Sequence, residues 1–153
     1  MDTVVGKNQQ GALVSLVERK SRYTLLGLVK RRQADLVKQA MISLLLPLTD
    51  RVHSITSDDG KEFAEHVQIA EALKATFYFS HPYSAWERGT NENTNGLIRQ
   101  YFPKGSDFSS VTGTLSVSVT DKFNHRPRKC LDFKTPFEVF LELPVELPVA
   151  LTS

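Results

Sequence analysis

Between Thr3 and Val29 the chain carries three apolar runs, Thr3–Val5, Ala12–Val17 and Tyr23–Val29, separated only by short polar turns. The turns read Lys7-Asn8-Gln9-Gln10-Gly11 and Glu18-Arg19-Lys20-Ser21-Arg22. Connections this short join antiparallel neighbours, so the segment predicts a three-stranded meander. The apolar period then changes. Leu36, Val37, Ala40, Met41, Leu44 and Leu45 recur at three and four residues, one face of a helix that Pro47 and Asp50 end. His53–Thr56 predicts a fourth strand, which, following a helix, should lie parallel to its predecessor in the sheet. Glu62–Ala75 predicts a helix with Phe63, His66, Val67, Ala70 and Leu73 on one side, and Thr76–Phe79 a last strand. Helices follow over Asn91–Tyr101 and Leu115–Phe123, and Pro136 opens a short final one with Phe137, Val139, Phe140 and Leu141.

This order of elements, with a mixed five-stranded sheet flanked by helices, is that of ribonuclease H-like α/β folds. At 153 residues the chain has room for one domain. Residues 1–142 form that domain, and the tail 143–153, with Pro144 and Pro148, has no assignable period. The hydrophobic share of 41% and the charged share of 24% exclude a disordered chain. A net charge of +2 neither demands nor excludes a polyanionic partner, so the placement of charge must decide. Cys130 is the sole cysteine, which excludes an internal disulfide and suits a reducing cytosol; it is expected to be a small buried hydrophobe. Met1-Asp2-Thr3 has no basic leader pattern, so no export signal is expected. The apolar stretch Ala40–Leu48, broken by Ser43 and Pro47, is far short of the ~20 residues of a membrane span, so no membrane partner is expected.

Three acids stand out by position. Asp2 lies on the first strand, Asp58 directly follows Ile55-Thr56-Ser57, and Glu92 lies in the first turns of a polar helix. Sites in open sheets form at the carboxyl ends of strands. Strands one and four are neighbours in a ribonuclease H-like sheet, so Asp2 and Asp58 are expected to converge. Clustered carboxylates repel unless a cation neutralises them, and hard oxygen donors suit Mg²⁺ or Mn²⁺. Taken singly, each acid reads equally well as surface charge.

Four stretches resemble the catalytic core of retroviral-type integrases and of bacterial insertion-sequence transposases with a DDE triad, most closely the insertion-sequence-thirty type. They are Gly11–Arg22, Thr56–Phe63 (TSDDGKEF), Ser80–Gly105 (SHPYSAWERGTNENTNGLIRQYFPKG) and Asn124–Glu138 (NHRPRKCLDFKTPFE). The resemblance implies metal-dependent DNA cleavage and strand transfer, with Asp2, Asp58 and Glu92 holding two Mg²⁺ or Mn²⁺ ions. From position 58 to position 92 the interval is 34, which suits that family. Asp59 rivals Asp58, but adjacent strand residues face opposite ways, and Asp59 is assigned to the turn. Implied partners are DNA, as element ends and target, and further transposase subunits; the implied setting is the bacterial cytoplasm, at the nucleoid. The family's N-terminal helix-turn-helix region has no counterpart in this sequence, and the chain starts within strand one. The alternative is therefore a truncated, non-catalytic remnant that binds DNA or transposase at most.

Basic residues gather near these acids. On the helix of Glu92, Asn95, Gly96 and Arg99 follow at three, four and seven. Lys61, Asn95, Arg99, Lys104, Arg126, Arg128 and Lys129, with Lys134 nearby, are expected to track a DNA backbone without reading sequence. The bland reading is a solvated charged face. Tyr83 and Trp86 suit base stacking or core packing equally, and Glu87 suits a capping box with Ser84, with Thr90 a second candidate cap. His66 and His81 lack partners at ligand spacing and read as structural or capping groups.

Overall fold

The structure, a computed structural model, describes residues 1–81 and 89–142. Strands β1 (Asp2–Val5), β2 (Ala12–Val17) and β3 (Thr24–Val29) form the predicted antiparallel meander in the order β1-β2-β3. Asp2 sits opposite Ser15 and Val4 opposite Leu13; Leu26 sits opposite Ser15 on the other side. Helix α1 (Ala34–Leu45) follows, then β4 (Ser54–Ser57), α2 (His66–Leu73), β5 (Thr76–Phe79), α3 (Gly89–Tyr101), α4 (Gly113–Asn124) and α5 (Pro136–Glu142).

Strand β2 is buried on both faces, and its alternation sorts the core in two. Ala12, Val14 and Leu16 join Val37, Met41 and Leu45 of α1, with Ile55, Phe63, Ile69 and Leu73. Leu13 faces the other way and joins Val4, Leu26, Ile98, Phe102, Val119 and Phe123. One sheet thus carries α1 on one face and α3 with α4 on the other. Gly27 serves the first face: a Cβ there would stand 2.8 Å from Leu44 Cδ1, so any side chain at this position would make Leu44 shift.

The expected single five-stranded sheet is not what the described residues form. Strands β4 and β5 pair in parallel as a separate two-stranded ladder, from Ser54 opposite Thr76 to Ser57 opposite Phe79. Strand β4 has no ladder to its predecessor. The two sheets meet where the Met1 amino group donates to Thr56 O at 2.6 Å. Met1, the residue just before β1, makes this contact through its terminal amino group, and a single such bond is not a ladder.

Several helix faces also differ from the sequence pattern. The 62–75 helix is broken into a 3-10 turn, Lys61–Phe63, and α2, whose buried residues are Ile69 and Leu73, while Val67 is exposed. In α4 the buried set is Ser116, Val119, Phe123 and Asn124, and Leu115 is exposed. The helix starts two residues earlier than predicted because the Thr112 hydroxyl caps it, accepting from Leu115 N at 3.3 Å. Asn124 then docks α4 on the sheet: its Oδ1 accepts from Thr24 N and its Nδ2 donates to Thr24 O, both at 2.8 Å. Cys130 is exposed, not buried, because the tight turn Lys129–Leu131 tucks only Leu131 partly inward. His66 is structural, its Nδ1 lying 3.1 Å from Phe63 O and its ring against Phe77 and Phe79. No helix among the described residues is long and apolar enough to cross a membrane.

The β2–β3 turn is held by Glu18. Its carboxylate accepts from Lys20 N at 3.0 Å and from the amide and hydroxyl of Ser21, both at 2.6 Å. Burial works against the charge, but these donors outweigh it and hold the carboxyl below its usual pKa. A depressed folded-state pKa stabilises above the unfolded value and loses that contribution as pH falls through the folded one. Acid titration of stability should therefore be shallower in Glu18→Gln than in the parent below the usual carboxylate range; parallel curves by circular dichroism would refute the turn's charge-dependence. Met41 is fully buried at the centre of the α1-side core. Met41→Ala is expected to cost about 2–5 kcal/mol in urea denaturation, and a loss under about 1 kcal/mol would mean that this core is loosely packed.

Candidate active site at the first and fourth strands

Period-2 alternation decides which way the two aspartates face. Asp2 pairs with Ser15, so it lies on the α3 side of β1, whereas Thr3 lies on the α1 side. Ile55 belongs to the α1-side core, so alternation puts Thr56 and, just past the strand, Asp58 on the α3 side as well. Asp59 is exposed in the turn that follows. Two contacts advance together along the strands: Met1 N to Thr56 O, then Thr3 Oγ1 to Glu62 Oε1 at 2.9 Å. The carboxyl-terminal end of β4 therefore runs alongside β1, and the half-buried Asp2 and Asp58 emerge from adjoining strands.

Helix α3 is laid along β1 by three side chains. Asn91 Nδ2 donates to Met1 O at 3.1 Å, Asn95 Nδ2 to Asp2 Oδ2 at 2.7 Å, and Arg99 Nη2 to Val5 O at 3.3 Å. From Asn91 to Arg99 a helix advances about 12 Å, and from Met1 to Val5 a strand advances about 13 Å, so the two keep pace. Asp2 is held at both oxygens, since its Oδ1 also accepts from Thr3 N at 2.7 Å. Ser15 Oγ completes the patch, reaching Asp2 O at 3.2 Å and Asn95 Oδ1 at 3.4 Å. Glu92, one turn before Asn95, is exposed on this helix. Thr90 is not the cap: it lies inside α3, and its hydroxyl accepts from Arg22 Nη1.

The structure thus brings Asp2 and Asp58 to adjoining strand ends and places Glu92 on the helix that docks over Asp2. It does not draw the three into one cluster; among the described residues no group of three metal-ligating side chains is gathered. Asp2 is turned toward Asn95 and its own neighbouring amide, and Glu92 faces solvent.

The basic residues divide. Lys61, Lys104, Arg126 and Lys129 are exposed. Asn95 and Arg99 instead spend their donors inside the fold, Arg99 Nη1 also facing Phe102 O and Pro103 O. Both are half-buried, because α3 docks on β1 through the face that carries Asn91, Asn95 and Arg99, while Glu92 is exposed. Arg128 is half-buried over the Phe123 ring, with Nη2 3.4 Å from Phe123 O, and burial lowers its pKa from the ordinary guanidinium value. Lys134 is engaged by Glu142 at 2.9 and 3.1 Å. Tyr83, Trp86 and Glu87 lie outside the described residues.

Sequence reasoning missed Glu62, Asn91 and Asn124. Glu62 is 4% exposed, and its Oε1 accepts from Thr3, from Arg32 Nε at 2.7 Å and from Arg32 Nη2. A glutamate next to Phe63 in a strand-acid-glycine turn was the available signal, but its partner is 30 residues away.

The architecture is that of an integrase catalytic core. The catalytic core domain of HTLV-2 integrase, solved in a trimeric form with magnesium, matches with a TM-score of 0.67 at 16% identity, over 90% of this chain and 91% of that one. No family model matches the sequence. The sequence is nevertheless homologous to insertion-sequence transposases along its whole length. It is 43% identical over 153 residues to the transposase for insertion sequence element IS4351 of Bacteroides fragilis, covering 100% of this chain and 47% of that protein. It is 41% identical over 151 residues to transposase InsI for insertion sequence element IS30A of Escherichia coli (strain K12), covering 98% of this chain and 38% of that protein. The chain thus spans about half or less of the curated relatives it matches.

The bond between Asn95 and Asp2 is open to measurement. A double-mutant cycle of Asp2→Ala and Asn95→Ala should give a coupling energy of about 1 kcal/mol in denaturant unfolding. Additive losses would show that α3 is not held on β1 through this pair.

Proposed function

We propose that the chain is the catalytic core of an insertion-sequence transposase, in which Asp2, Asp58 and Glu92 hold the divalent ions for DNA cleavage and strand transfer. The observation that supports it best is the emergence of Asp2 and Asp58 on one side of adjoining strand ends, beneath the helix that carries Glu92. The donor chemistry fits Mg²⁺ or Mn²⁺: every candidate ligand is a carboxylate oxygen at a half-buried or exposed position. When bound, such ions polarise the phosphodiester and lower the pKa of an attacking water or 3′-hydroxyl.

The protein's share is orientation. Thr3 N and Asn95 fix the Asp2 carboxylate, and the Asn91 and Arg99 contacts fix the height of Glu92 above it. Glu92, exposed on the same helix, is the third ligand of this proposal. Lys61, beside Asp58, and Lys104, Arg126 and Lys129 offer charge to the DNA backbone, which positions a duplex without selecting its sequence. Arg128, half-buried over the Phe123 ring, supports the segment that presents Arg126 and Lys129. Self-association with further subunits belongs to the same proposal.

The test is nicking of supercoiled plasmid together with thermal stability, each with and without metal. The parent should nick slowly and only with Mg²⁺ or Mn²⁺. Saturating the site to about a hundredfold over Kd should stabilise it by about 2.7 kcal/mol. Asp58→Asn should lose both responses. Equal metal responses in Asp58→Asn and the parent would remove Asp58 from the site, and metal-independent nicking would remove the mechanism.

A further inference from the structure

A carboxylate outside the proposed triad is the most enclosed charged group on the α1 side of the sheet. Glu62 is 4% exposed and sits in the 3-10 turn four residues past Asp58. It takes the Arg32 guanidinium through Nε, at 2.7 Å, and Nη2, and the Thr3 hydroxyl at 2.9 Å. Thr3 follows Asp2 on β1, its side chain on the opposite face. Arg32 stands between β3 and α1 and is half-exposed, so it supplies the countercharge from the rim. Three segments therefore close on one carboxylate: the strand of Asp2, the turn of Asp58, and the entry to α1.

Gly60 shows how closely the turn is wrapped. Its φ of −79° is open to any residue, so conformation does not require glycine here. Space does: a Cβ at Gly60 would stand 2.4 Å from Glu62 Oε2 and 2.7 Å from its Cδ. A side chain at Gly60 must push the carboxylate away from Arg32 and Thr3, or push the turn off β1.

The geometry points to Glu62 as a positioning residue for metal binding: it clasps Thr3 from behind the sheet and so fixes the separation between Asp2 in front and Asp58 on the adjoining turn. It rests on the metal-holding role proposed for Asp2 and Asp58. Glu62 is too enclosed to reach substrate and acts only through its neighbours. Groups that orient ligands from behind typically change metal affinity 10–100-fold when removed.

The experiment is titration of the full chain with Mn²⁺, following free ion by electron paramagnetic resonance, so that binding is read without DNA or turnover. Glu62→Gln and Gly60→Ala should each raise the Mn²⁺ midpoint by about tenfold. Thr3→Val, which keeps the Glu62–Arg32 pair and shape, should raise it less and decides the matter if Glu62→Gln does not fold. Met41→Val, destabilised in the core away from the site, should keep the parent midpoint. Parent-like midpoints in Glu62→Gln and Thr3→Val, with binding still dependent on Asp58, overturn the clasp alone. An equal shift in Met41→Val also overturns it, by showing that loss of stability suffices. A parent that binds no Mn²⁺ through Asp58 overturns the metal-holding role and the clasp with it.

Discussion

Strand β2 is the wall on which everything else is hung. Its side chains are buried on both faces, so it cannot slip by one residue without exchanging the contents of two cores. Ala12, Val14 and Leu16 belong to α1, and Leu13 belongs to α3 and α4. The one polar interruption is Ser15, on the α3 face opposite Asp2. An apolar residue there would close the second core up to the strand's end. A serine leaves a polar spot in which Asp2 and Asn95 meet, and a half-buried carboxylate is tolerated because each of its oxygens has a donor.

The same strand pair is gripped from both sides by different chemistry. On the α3 face the contacts are amide side chains on a strand backbone and on a carboxylate, Asn91 and Asn95. On the α1 face the contact is an ion pair with one nearly enclosed partner, Glu62 with Arg32. The enclosed charge is tolerable because three donors converge on one oxygen, and removing any one would leave desolvation uncompensated. Rigidity is thereby added where the two ladders adjoin.

The sequence made the elements legible and their faces less so. All five strands and the helix of Leu36–Leu45 were readable because period-2 and period-3.6 patterns are local. The side of α2 was misread because a 3-10 turn at Lys61–Phe63 resets the phase, so Ile69 rather than Val67 points inward. Ser116 took the place expected of Leu115 because polarity does not forbid burial when the hydroxyl bonds its own helix, here Gly113 O at 2.8 Å. The two aspartates were legible from strand-end position. Asn95 and Arg99 were read as sharing a face with Glu92, but they dock on β1 while Glu92 is exposed, and nothing local tells which side of a polar helix meets the sheet. Glu62 and Asn124 were invisible for a simpler reason: their partners lie 30 and 100 residues away. The division into two ladders was equally out of reach, since it depends on how far one strand extends past another.

The docking of α3 has a bearing on how such a chain tolerates change. Asn91 and Asn95 seat the helix of Glu92 on Met1 and Asp2. A one-residue shift within the helix would turn it by about 100° and carry Asn91 and Asn95 off Met1 and Asp2 together.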